Sequence, residues 1–134
     1  MFALHQQLAN DTFFIADLDL CQVLLMNNSL FPWLILVPRV ENAREIIDLT
    51  NEERHILMNE IATISETMKK LLSPYKLNVA ALGNQVEQLH IHIIARFPKD
   101  SAWPNPVWGK GSKPISDPQS ILDEIKQALL PDGL

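Results

Sequence analysis

The sequence predicts an α+β fold: an antiparallel sheet of about five strands, one long helix and a C-terminal helix. Three observations carry this expectation. Apolar runs of strand length, bounded by turn residues, outnumber helical patterns and are seldom separated by them, which favours antiparallel over parallel pairing. One stretch, at about residues 51–72, repeats its apolar residues at helical spacing. Asp117-Pro118 then opens a second helical pattern, an N-cap followed by proline at the first helical position.

Residues 12–18 and 20–26 read as two strands joined around Asp17 and Asp19 in a hairpin. Asn27-Asn28-Ser29 is a turn cluster. Leu34 to Val37 is a short apolar strand bracketed by Pro32 and Pro38, because proline is poorly tolerated inside a central strand. Thr50 and Glu53 have the spacing of a capping box. Ile56, Leu57, Ile61, Ile64, Met68, Leu71 and Leu72 follow at helical spacing, so a helix is predicted over 51–72, stopping before Pro74. Met58 and Met68 are expected in or near the core. Residues 76–82 read as a strand, and a further strand is expected from about Val86 to Phe97.

Residues 98–117 have no clear period, four prolines (Pro98, Pro104, Pro106, Pro114) and two of the three tryptophans, Trp103 and Trp108. An irregular run of this length is usually functional or disordered. Tryptophans argue against disorder, so the segment is expected to pack as a lid, an arm or an interface. The closing helix, over 118–130, carries Ile121, Leu122, Ile125, Ala128 and Leu129 on one side.

A length of 134 residues suggests one domain over 1–134. A fold of this size buries about two-thirds of its unfolded surface and needs no disulfide. The lone cysteine, Cys21, lies in an apolar run and reads as a buried thiol. A net charge of −5 argues against broad binding to nucleic-acid backbones or anionic membranes, so neither is expected as a partner. The apolar run Leu30–Pro38 is too short to span a bilayer. No secretory signal pattern opens the chain, and a cytoplasmic location is expected.

The chemistry concentrates in Val86-Glu87-Gln88-Leu89-His90-Ile91-His92-Ile93-Ile94. A strand alternates its side chains, so Gln88, His90 and His92 are expected on one face and Leu89, Ile91 and Ile93 on the other. Two imidazoles then stand about 7 Å apart along a rigid element. A neutral imidazole is a competent nucleophile at pH 7, since its unperturbed pKa is near 6.5. Attack on phosphorus needs positioning and charge stabilisation above all. The nucleophile's other ring nitrogen must be held by an acceptor, which fixes the tautomer. A His-x-His metal site needs further ligands, and Arg96 occupies the place where a carboxylate would help, so no metal and no cofactor are expected. Arg39, Arg96, Lys110 and Lys113 read as solvated charges or as phosphate neutralisers. Trp103 and Trp108 read equally as base-stacking residues or loop anchors.

The run Gly83-Asn84-Gln85-Val86-Glu87-Gln88-Leu89-His90-Ile91-His92-Ile93-Ile94 resembles the signature of the histidine triad (HIT) superfamily, His-φ-His-φ-His-φ-φ with φ apolar, commonly preceded by Gly-Gln-Ser/Thr-Val. The strand pair around Asn27–Pro38 and the capped helix fit the same pattern, which covers about residues 12–97. The proline- and tryptophan-rich segment after it looks like that of a bacterial HIT-like subgroup. The resemblance implies a HIT-like fold and a two-fold homodimer. It also implies nucleotide chemistry: hydrolysis or transfer at the α-phosphate of nucleoside polyphosphates or phosphoramidates, through a nucleotidyl-histidine. By position His90 is the nucleophile, and His92 stands near the phosphoryl oxygens and leaving group. Asn84 and Gln85 contact phosphate, and Asn27, or Asn28 if the alignment slips, holds the sugar of a purine nucleotide. Two departures stand out: Gln88 replaces the first triad histidine, and Trp33 occupies a position that is often histidine. If each loss costs one orienting hydrogen bond, about 1 kcal/mol or a little more, the rate falls by up to about tenfold per loss. Three outcomes stay open: a slowed enzyme, a nucleotide-binding regulatory protein with little or no turnover, or a protein–protein adaptor that uses the Trp-Pro loop.

Overall fold

The computed structural model describes residues 1–129. Its elements in chain order are helix α1 (Gln6–Asp11), strands β1 (Thr12–Asp17), β2 (Cys21–Met26) and β3 (Trp33–Pro38), helix α2 (Asn51–Leu72), strands β4 (Lys76–Ala80) and β5 (Ile91–Arg96), and helix α3 (Pro118–Leu129). The strands form one antiparallel sheet in the order β1-β2-β3-β5-β4, the expected α+β architecture. Leu130, at the end of the expected closing helix, lies outside the described residues.

Side chains alternate between the two sides of a strand, and β3 and β5 at the middle of the sheet are buried along their whole length, so the sheet has two dry faces. Leu34, Leu36, Ile91, Ile93 and Ala95 point to one side and pack with Leu57, Ile64 and Met68 of α2 and Leu122 and Ile125 of α3. Trp33, Ile35, Val37 and Ile94 point to the other and pack with Leu8 of α1, Val86, Ala102 and Val107. The second face is therefore covered by the N-terminal helix and the 98–117 segment.

The caps form as the residue types require. Thr50 accepts from the Glu53 N–H (3.1 Å) and the Glu53 carboxylate accepts from the Thr50 N–H (2.8 Å). The helix ends on Ser73 in the left-handed region (φ 47°), just before Pro74. Glu60, buried on α2, accepts from the Leu20 and Cys21 N–H groups and ties the helix to the start of β2. Cys21 is fully buried, and burial pushes its thiol pKa up.

Two expectations are corrected and two short elements are added. Met58 is 64% exposed rather than near the core, because the buried stripe of α2 runs through Leu57, Glu60, Ile64, Thr67 and Met68 and leaves position 58 outside it. Helix α1 and a short 3-10 turn at Ile46–Asp48 were not foreseen; α1 buries only Leu8, too little to show a period. Strand β5 begins at Ile91, not Val86. Its partner β4 ends at Ala80 opposite His92, and Ile91 already faces Leu36 near the proline end of β3. The Leu89 N–H bonds instead to the Ala43 carbonyl.

Candidate active site

The start of β5 places His90 and His92 at one edge of the loop-covered face. They line a cleft of about 430 Å³ whose walls include Asp11, Asn84, Gln85 and Trp108. The two rings stand 4.8 Å apart between centroids, nearly edge to face. Trp33 and Trp108 complete the cluster, each in edge contact with His92 at 5.6 and 5.1 Å.

The hydrogen bonds assign the tautomers. His90 Nδ1 lies 2.7 Å from the Gln88 carbonyl oxygen. A carbonyl only accepts, so Nδ1 carries the proton and Nε2 keeps its lone pair. For His92 the order is reversed. The Trp33 indole N–H can only donate, and it donates to His92 Nδ1 at 3.0 Å. His92 Nε2 therefore carries the proton and donates to the Leu82 carbonyl at 2.9 Å. Both nitrogens of His92 are committed within the protein. Burial lowers the pKa of both rings, His92 to about 4, with the Leu82 carbonyl and His90 as smaller influences.

Gly83 packs against this arrangement. A Cβ there would meet the Val86 carbonyl oxygen at 2.6 Å and His90 Cε1 at 3.2 Å, so the chain can approach the imidazole only without a side chain.

The other expected residues are distributed as follows. Asn84 and Gln85 line the same cleft as the histidines. Gln88 does not share their face, since β5 starts after it. Its side chain accepts from the His5 N–H (2.8 Å) and donates to the Ala3 carbonyl (2.8 Å), tying down the N-terminal segment. What Gln88 brings to the cleft is its carbonyl. Asn27 lines an adjoining hollow that shares Asp11, Trp33 and Trp108 with the cleft, and its side-chain oxygen accepts from the Ile115 N–H. Asn28 is buried, and its side chain binds the backbone of Leu30, Gly111 and Lys113. Together these asparagines fasten the 111–115 chain beside the cleft.

Arg96 is neither a solvated charge nor a cleft residue. It is buried (1% exposed) and pairs with Asp100 at 2.8 Å, with further bonds to Asn78 and the Asn105 carbonyl. The guanidinium, followed by backbone N–H donors from Phe97, Ala102 and Trp103, holds the Asp100 carboxyl well below the usual carboxylate range. This cluster shapes the 98–117 segment into an arm folded over the molecule's own sheet. Trp103 anchors it against Arg96 and Tyr75, while Trp108 reaches the cleft. Arg39 braces the β1–β2 hairpin through Asp17 and two carbonyls. The roles of Leu82 and Asp11 have no signal in the sequence, and the contact of Trp33 and Trp108 with His92 goes beyond what the sequence suggested for either tryptophan. The signal for Trp33 was its strand parity, which puts it on the face of Ile35, the register partner of His92.

Among the described residues no cluster of three or more metal-ligating side chains occurs, and no helix is long and apolar enough to cross a membrane.

An antiparallel sheet backed by two helices, with a pair of imidazoles where β5 begins, defines the class of a histidine-bearing α+β protein. The chain belongs to the HIT domain family, whose sequence profile matches residues 7–99. It is similar over nearly its whole length to solved structures of bacterial histidine triad proteins. That from Marinobacter aquaeolei VT8 is 47% identical, with a TM-score of 0.93 and 98% of each chain covered. That from Bradyrhizobium japonicum is 43% identical, with a TM-score of 0.90, covering 96% of this chain and 98% of the other. That from Sinorhizobium meliloti 1021 is 38% identical, with a TM-score of 0.91, covering 95% and 96%. No curated protein matches the chain.

Proposed function

We propose that this protein binds a purine nucleotide or nucleoside polyphosphate in the histidine cleft and hydrolyses or transfers its nucleotidyl group through a covalent intermediate on His90. The supporting observation is the 2.7 Å contact from His90 Nδ1 to the Gln88 carbonyl, which leaves Nε2 unprotonated. A lowered pKa keeps that nitrogen available at neutral pH. As the new bond forms, the same carbonyl steadies the positive charge that develops on the ring. This is why Gln88 can stand where the family pattern has its first histidine: the backbone oxygen is independent of the side chain. Asn84 and Gln85 supply amide donors to phosphate, and Asn27 and the neighbouring hollow take the sugar.

A second reading, a nucleotide-binding regulatory protein with little turnover, is favoured by the saturation of His92, which has no free nitrogen to offer a substrate. Incubation with a diadenosine polyphosphate, with acid quench, intact-mass measurement and assay of released mononucleotide, separates the two. Adduct or release that disappears in His90→Ala supports the enzyme. Tight mononucleotide binding with neither supports the binder.

We further propose a homodimer. β4 is an open sheet edge, and Val79 on it and Tyr75 beside it are exposed. Light scattering after size exclusion reads the mass: twice the chain mass is expected, and a monomer overturns it.

A further inference from the structure

We infer that Trp33 sets the leaving-group preference of this site, fitting it to nucleotidyl substrates whose leaving group departs as an anion and not to alkylamine phosphoramidates. This rests on the reading of His90 as nucleophile.

Three titratable side chains line the cleft: Asp11, His90 and His92. His90 is spent as the nucleophile. Asp11 is exposed at the end of α1, and its carboxyl oxygen is taken up by the Gln7 side-chain amide at 2.9 Å. His92 is left as the ring that would deliver a proton. Its one proton is on Nε2 and is held by the Leu82 carbonyl, and a second proton on Nδ1 would point at the Trp33 N–H. Histidine in place of Trp33 could accept as well as donate; indole donates only. Trp33 is buried and held between Trp108 and His92, so it cannot turn aside cheaply.

The chemistry follows from that missing proton. The His90 Nε2 lone pair forms a bond to phosphorus, and the bond to the leaving group breaks with its electron pair. A phosphate or polyphosphate oxygen accepts that pair as an anion at pH 7 and needs no proton. An alkylamine nitrogen cannot leave as an anion and must take a proton as the P–N bond breaks. Water then attacks phosphorus, the pair of the P–N bond to His90 returns to Nε2, and the proton of water passes to solvent. Both substrate types share the second step, so only the first discriminates. Trp33 acts through His92 and is a positioning residue.

The test compares single-turnover rates of one nucleotide with two leaving groups, a diadenosine polyphosphate and AMP-morpholidate, in the wild type and in Trp33→Phe. A positioned general acid is worth about 10²-fold. The wild type is expected to favour the polyphosphate by ~10²-fold, and Trp33→Phe, which frees His92 Nδ1, to narrow that ratio by about tenfold or more. A wild type that uses the phosphoramidate as fast as the polyphosphate overturns the inference, even if the variant fails to fold. So does an unchanged ratio in a folded variant. Absence of turnover and adduct with both substrates overturns the reading of His90 instead.

Discussion

The two faces of the sheet are held by different physics. The face under α2 and α3 is aliphatic, with Leu36, Ile64, Ile91 and Ile93 fully or almost fully buried. The face under the 98–117 arm carries imidazoles, indoles and an ion pair: His90, His92, Trp33, Trp108 and Arg96–Asp100. Dispersion and hydrophobic burial have no direction, so an aliphatic face tolerates changes that conserve volume. Hydrogen-bonded groups tolerate few, since each buried donor must meet an acceptor. One face therefore draws its stability from non-directional burial, and the other from paired polar groups that also fix which nitrogen of which ring is free.

The largest contrast is between Ile64→Ala and His90→Ala. The first removes a fully buried side chain and should cost about 2–5 kcal/mol in urea unfolding, with the single-turnover rate of the folded fraction unchanged. The second removes a buried ring and leaves the Gln88 carbonyl without its donor, which should cost about 1–3 kcal/mol, and should lower nucleotide release by ~10³-fold or more. Parallel losses of both properties in both variants would erase the distinction between the faces.

Asp100→Ala should come next. It strands a buried guanidinium and three backbone donors, at a cost of about 3 kcal/mol or more. Urea unfolding followed by tryptophan emission reads it; a loss below ~0.5 kcal/mol would show that the arm does not depend on this pair.

Acidification should weaken the loop-covered face alone. His92 titrates near 4 in the folded protein and near 6.5 in an unfolded chain. Between those values the unfolded state binds more protons, so stability falls as pH falls from 6.5 to 4, by about 3 kcal/mol if the ring alone is counted. Comparison of the wild type with His92→Asn over this range isolates the contribution, and identical slopes would contradict it.

Gly83→Ala should have the smallest effect. Its Cβ would press on the Val86 carbonyl and His90, displacing the ring and lowering the turnover rate about tenfold. A normal rate would mean that this chain segment yields without moving the imidazole.

The elements that were legible in the sequence are those set by local rules. The capping box at Thr50 and Glu53, the Asp117-Pro118 start and the prolines around β3 each act over a few residues. Cleft geometry depends on strand order, which no local pattern encodes. The adjacency of β3 and β5 brings Trp33 to His92 across 59 positions of sequence, and Leu82 reaches the same ring from the chain before β5. Alternation placed Gln88 with the histidines only by extending a strand beyond the point where partners remain. Arg96 looked like any surface cation, because nothing local shows that Asp100 folds back onto it.

The central claim is that the two imidazoles hold opposite tautomers, and long-range ¹H–¹⁵N spectra of the histidine rings at pH 7 test it most directly. The account predicts His90 neutral with its proton on Nδ1 and His92 neutral with its proton on Nε2. The same tautomer in both rings, or a charged His92, would contradict it.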